Sequence, residues 1–227
     1  MASFSVVDNV LPDILHRVAV LATDTIEGSA FAGLMMTVNG RLQTPVFTDE
    51  DAPEIDARQY ETGVGPCLDS YRHATLYTIP STPQDERWRP FSETCLEHGV
   101  LSTMSVPVMT DGTAVGALNF YSHEERAFGP EAETLGTAFA EQAAIVIRNA
   151  TAYWDAKALG EQLSQALETR VVIEQAKGLL MSTGLTSAAA FDLLRKASQR
   201  ENRKLHQIAA QLVADAERRA SASGDAT

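Results

Sequence analysis

Cysteine is scarce in this 227-residue chain: only Cys67 and Cys95 occur. Such a pair supplies no C-x-x-C motif, no zinc cluster and no disulfide framework, and packs by default as two buried thiols. Long apolar runs are missing as well. No stretch approaches the roughly 18 residues needed to cross a bilayer. The opening "MASFSVVDNVLPDILHRVAV" has no basic region leading into an apolar stretch and a small-residue cleavage site. A cytoplasmic protein with no signal peptide and no membrane contact is expected. Catalytic signatures are equally thin. His16, His73, His98, His123 and His206 fall at no metal-ligand spacing. No G-x-S-x-G is present, and no serine or cysteine is committed to nucleophilic work. "GPCLDS" gives Cys67 no cationic setting that would lower its pKa. Gly63-Val64-Gly65-Pro66 lacks the Gly-Lys-Ser/Thr ending of a phosphate loop and reads as a turn. Trp88, followed by Arg89-Pro90-Phe91, reads as a packing anchor. The residues make no case for an enzyme.

What is present is a core and an uneven distribution of charge. A hydrophobic content of 44% indicates a folded chain, long enough for one medium and one small domain. The net charge of −12 would ordinarily speak against nucleic acid. Residues 1–164, however, hold nine Lys and Arg against 23 Asp and Glu, a net −14. Residues 165–219 hold nine against six, a net +3. A cationic segment on an anionic protein points to a polyanionic partner, and the two parts to different tasks.

Periodicity orders the chain. "LPDILHRVAVLATDTI" has helical spacing. Asn39-Gly40 and Asp111-Gly112 each lie between strand-like runs and signal hairpins. "ATLYTIP" reads as a short strand after a polar, acidic stretch, and "DERWRPFSETCLEHG" as a short helix closing at Gly99. From Pro130 a helix is expected for about fifty residues, to Met181, with Glu131 and Glu133 in its first turn. Positions 146, 149, 153, 156, 160, 163 and 167 form an imperfect heptad seam, either between two copies of the chain or packed against its own domain. Two helices follow. One has Thr186 or Ser187 as N-cap and buries Phe191, Leu194 and Ala190. The other has Asn202 as N-cap and a stripe of Leu205, Ile208, Ala209, Leu212 and Val213. Residues 220–227 read as a frayed tail.

"RVVIEQAKGLLMSTGLTSAAAFDLLRKASQRENRKLHQIA" resembles an ANTAR domain, the three-helix RNA-binding module of bacterial antitermination regulators. The resemblance rests on Ala176-Lys177-Gly178, Met181, Ala190-Phe191, Leu194-Arg195, Ser198, Asn202, Lys204-Leu205 and Ile208-Ala209. It implies an RNA-binding set of Arg170, Lys177, Gly178, Arg195, Ser198, Asn202, Arg203 and Lys204, acting on hairpin loops in leader transcripts. Asn202 has a second reading as a helix cap. Gly178 also has two: an open approach for a phosphate or base, or close packing by a neighbouring helix. In mid-helix it costs about 1 kcal/mol relative to alanine.

The order helix, hairpin, crossover, hairpin, long helix is similar to a GAF sensor domain, with "LSTMSVPVMTDGTAVGALNFYS" the best-fitting stretch. The expected architecture is therefore an α+β GAF-like domain at 8–150, with an antiparallel sheet flanked by helices. A helical linker or coiled coil follows at 151–168, then a three-helix ANTAR domain at 169–219. A homodimer is expected. So is a small-molecule pocket, whose ligand and cofactor the sequence leaves unnamed. The other reading is a ligand or redox sensor whose C-terminal helices bind a protein.

Overall fold

A computed structural model describes residues 10–224. The chain divides into two compact units, the first ending at Trp154 and the second beginning at Asp155.

The first unit is built on a five-stranded antiparallel sheet of order β2-β1-β5-β4-β3. Its strands are β1 (Phe31–Val38), β2 (Arg41–Phe47), β3 (Tyr77–Ile79), β4 (Ser102–Thr110) and β5 (Thr113–Ser122). The hairpin turns follow from local chemistry. Asn39 and Gly40 have φ of 51° and 77°, and Asp111 and Gly112 have 49° and 77°. Two consecutive residues at positive φ match the right-handed twist of the flanking strands. Strand alternation then sorts side chains between the two faces. Ala32, Leu34, Met36, Met104, Val106, Val108, Leu118 and Phe120 point to one side. There they meet Leu15, Ala19 and Ala22 of α1 (Val10–Thr25) and Ala140, Ala143, Ala144 and Ile147 of the long helix α5 (Pro130–Met181).

The opposite face is covered by α2 (Asp51–Thr62), α3 (Pro66–His73) and α4 (Arg89–Glu97). Ala52, Ile55, Trp88, Phe91 and Cys95 cluster there with Phe31 and Tyr121 of the sheet. Trp88 is an anchor: 3% exposed, it donates from Nε1 to Asp69 at 3.0 Å, while the Arg87 guanidinium lies 4.1 Å over its ring. Gly63 closes α2 in the left-handed region and Pro66 opens α3, so Gly63–Pro66 is a turn. The polar stretch before β3 thus contains two helices that the periodicity did not announce.

The second unit consists of the end of α5, α6 (Ser187–Glu201) and α7 (Leu205–Gly224). Val172, Ile173, Ala176 and Leu180 of α5 pack with Leu194 and Ala197 of α6 and with Leu205, Ile208, Ala209, Leu212 and Val213 of α7. Thr186 is the N-cap of α6, its hydroxyl accepting from the Ala189 N–H at 3.2 Å. Two expectations need correction. Phe191 is 42% exposed, and the helix buries Ala190 and Leu194 instead. Asn202 is not the N-cap of α7. It terminates α6 at φ 50°, where its N–H and that of Arg203 return to Gln199 and Ser198. α7 continues to Gly224, into the segment expected to fray, and residues 225–227 lie outside the described residues.

Candidate nucleic-acid interface

The residues expected to touch RNA occupy two places in the second unit. The first is the α6–α7 corner. Ser198 donates its hydroxyl to the Arg203 carbonyl, so it holds the corner closed. Asn202 supplies the left-handed residue that ends the helix, a conformation asparagine tolerates better than most residues. Arg203 is tied to Glu201 at 3.4 Å and to the Gln211 side chain at 2.7 Å. The Lys204 carbonyl accepts from Gln207 and Ile208, starting α7, while its side chain is exposed. Arg195 and Lys196 share Asp192, whose carboxyl these two cations hold below its usual range.

The second place is on α5. The Lys177 ammonium is 2.9 Å from both Glu174 carboxylate oxygens, and its side chain is only 15% exposed. Gly178 faces open space: a Cβ built on it would meet nothing within 4 Å. Close packing by a helix is therefore not the reason for this glycine among the described residues. It forms the floor of a groove of about 480 Å³ between α5 and α7, walled by Leu179, Val213 and Ala216. Arg170 is exposed further up the same helix. Arg170 and Lys204 form no ion pair among the described residues. The other cations named here are each balanced by a neighbouring acid, and all but Lys177 are exposed.

A second site was not visible in the sequence. Asp56 of α2 is fully buried among donors. Tyr121 donates to Oδ1 at 2.6 Å, Gln59 to Oδ1 at 2.9 Å and Thr44 to Oδ2 at 2.7 Å. The Asn119 amide lies 3.1–3.2 Å from both oxygens. Burial pushes the Asp56 carboxyl up, and the four hydrogen bonds pull it back only in part. Asn119 Oδ1 is buried and has no partner among the described residues. Turned over, that amide would accept the proton of a neutral Asp56. The network also reaches the next helix, because the Cys67 N–H in the first turn of α3 donates to Gln59 Oε1 at 2.9 Å. The Cys67 and Cys95 thiols are buried and raised well above their ordinary value, which leaves them unreactive. His98 is braced between α2 carboxylates, with Nδ1 3.0 Å from Asp51 and Nε2 3.9 Å from Glu54. Asp51, Glu54 and His98 are the one group of metal-type ligands among the described residues.

The first unit is an antiparallel sheet of this order with helices on both faces, and a long helix leads into the small helical bundle of the second. The GAF domain family model matches residues 9–148 and the ANTAR domain model residues 161–213. The first match spans more than half of the sequence: the chain belongs to the GAF family and has a GAF–ANTAR architecture. Both domain types are regulatory. Two solved structures share the fold of the first unit. One is GAF3 of Synechocystis sp. PCC6803 in its photoproduct state. It is 12% identical, covers 64% of this chain and 98% of its own, and has a TM-score of 0.53. The other is a type II free methionine-R-sulfoxide reductase from Thermoplasma acidophilum. It is 15% identical, covers 62% and 94%, and has a TM-score of 0.50. No curated protein sequence matches the chain. Among the described residues no helix is long and apolar enough to cross a membrane.

Proposed function

We propose that this protein is a transcription antitermination regulator whose ANTAR domain binds RNA hairpin loops under control of the GAF domain. The observation that carries this reading is the family match over a segment where cations outnumber acids in an otherwise acidic chain. Loops display unstacked bases, the usual target of sequence-specific RNA recognition. Arg170, Lys177, Arg195, Arg203 and Lys204 supply positive charge. Gly178 supplies access. Ser198 and Asn202 shape the α6–α7 corner that presents Arg203 and Lys204. The domains run over 8–150 and 169–219, joined by a helical linker. A small ligand acts on the buried polar layer around Asp56, the part of the first unit richest in hydrogen-bonding groups.

The protein works as a dimer. Leu159, Leu163, Leu167 and Val171 are 54–64% exposed at four-residue spacing along α5, a bare stripe that an isolated helix in water does not sustain. Leu163→Asp, which places a charge in that seam, is expected to yield monomers by light scattering. It should weaken binding to a two-hairpin RNA far more than to one hairpin, because linked contacts gain from effective concentration.

One observation favours a second reading, a protein partner for the same helices. Leu179, Met181, Leu185, Phe191 and Leu193 are all 36–48% exposed. Selecting RNA on the purified protein from a pool of hairpins with randomised loops decides between the two. Enrichment of particular loops is the expected result, and no enrichment at all would leave the protein-partner reading standing alone.

A further inference from the structure

The groove beneath Gly178 has a shape and lining that the overall charge does not explain. Gly178 stands in mid-helix, and among the described residues nothing packs on it, so neither a turn nor a described neighbouring helix requires a glycine there. An alanine would make the helix more favourable. What the glycine provides is depth. Across the groove from it lie Val213 and Ala216 of α7, and Leu179 closes one wall. Its volume of about 480 Å³ falls in the range of small-molecule pockets.

Polar residues line it as well: Gln175, Ser182 and Glu217. The Ser182 hydroxyl spends its proton on the Leu179 carbonyl at 2.7 Å, so towards the groove it offers only acceptor lone pairs. Gln175 offers an amide. Apolar walls for a flat ring face, with acceptors at one edge, are the features by which proteins hold a base taken out of its stack. Lys177, the neighbour of Gly178, stands where a backbone phosphate could exchange with Glu174 for its ammonium.

We infer that this groove seats one unpaired base of the bound RNA, its ring against Leu179, Val213 and Ala216 and an exocyclic amino group directed at the Ser182 hydroxyl oxygen. The inference rests on the RNA reading above and adds to it the place where sequence is read. Uracil has no exocyclic amino group and is the base this edge rejects.

The probe is the set of hairpins that the wild-type protein itself selects from a randomised-loop pool. In those loops, one position is expected to exclude uridine, and an abasic nucleotide there should weaken wild-type binding at least tenfold. Gly178→Leu fills the groove with a strong helix former and should leave the fold intact by circular dichroism. It is expected to bind the intact hairpin at least tenfold more weakly and to lose its sensitivity to the abasic change at that one position. Ser182→Ala should relax the exclusion of uridine without removing binding. If Gly178→Leu keeps full affinity, or if every abasic change affects it as it affects the wild type, the groove holds no base although RNA binding stands. If the pool yields no enriched hairpin, the RNA reading itself falls, and this inference with it.

Discussion

Asp56 and Lys177 are both titratable side chains held by neighbours, yet they belong to regions built on opposite rules. Around Asp56 the first unit turns its polar groups inward: one carboxylate and four donors, all shut away from water. In the second unit most of the polar chemistry faces outward, and cations are balanced by acids one turn away or less. Buried, such a network holds helices to a sheet, and breaking it costs heavily. On the surface, each pair is worth about 0–1 kcal/mol and exchanges readily for a phosphate. The first region is suited to registering a change, and the second to meeting a partner.

The sharpest way to break the comparison is Asp56→Ala. It leaves Tyr121, Thr44, Gln59 and Asn119 without their acceptor, and each buried orphan costs about 1–3 kcal/mol. A loss of about 4 kcal/mol or more from the first unit is expected in urea titrations followed by Trp fluorescence. The second unit should keep its hydrogen-exchange protection. A loss below about 1 kcal/mol would mean that the network is not what holds α2 to the sheet.

A smaller effect comes from titrating the same carboxyl. Its pKa in the fold is raised above the ordinary 3.8. The folded state therefore holds the proton more tightly than the unfolded chain does. This contribution to stability is fully present below 3.8 and is lost as pH rises through the raised value. The wild type should lose stability across that window, and Asp56→Asn should lack that component of the pH slope. Parallel slopes for the two proteins would place the titration elsewhere.

Smaller still are changes in the outward-facing unit. Asn202→Ala forces an ordinary side chain into the left-handed region and should cost about 1 kcal/mol, whereas Asn202→Gly should be near neutral. If Asn202→Gly keeps RNA affinity, the residue is a cap and not a base contact. Lys177→Ala should change stability by only a few tenths of a kcal/mol, since alanine is the better helix former. Its effect belongs in the salt dependence: the slope of log affinity against log salt should shrink by about 0.7 to 0.9 if one phosphate contact is lost. An unchanged slope removes Lys177 from the interface.

The two regions also differ in how far they could be read in advance. The hairpins at Asn39-Gly40 and Asp111-Gly112 were legible because turn chemistry is settled by two adjacent residues. The long helix was legible because Pro130 starts it and Gly184, at φ 96°, lies just beyond its end. α2 was not, because its buried face is Ala52, Ile55, Asp56 and Gln59. Half of that stripe is polar, so a search for apolar periodicity passes over it. The acid at its centre went unnoticed for the same reason. Asn202 deceived in another way: asparagine suits both the beginning and the end of a helix, and only the path of α7 decides which. Phe191 looked like core because it is aromatic, but Ala190 beside it is the residue that faces inward.

Gln59 carries one more consequence. Its amide nitrogen holds Asp56, its amide oxygen receives the Cys67 N–H, and a Cβ at Gly65 would fall 2.0 Å from that oxygen. One side chain thus joins the acid in α2 to the first turn of α3, with no slack for an independent adjustment. Whatever alters the charge on Asp56 is written onto a single backbone amide. The chemical shift and exchange rate of the Cys67 N–H make that amide a native reporter, by which the state of a carboxyl hidden from solvent can be followed without labelling it.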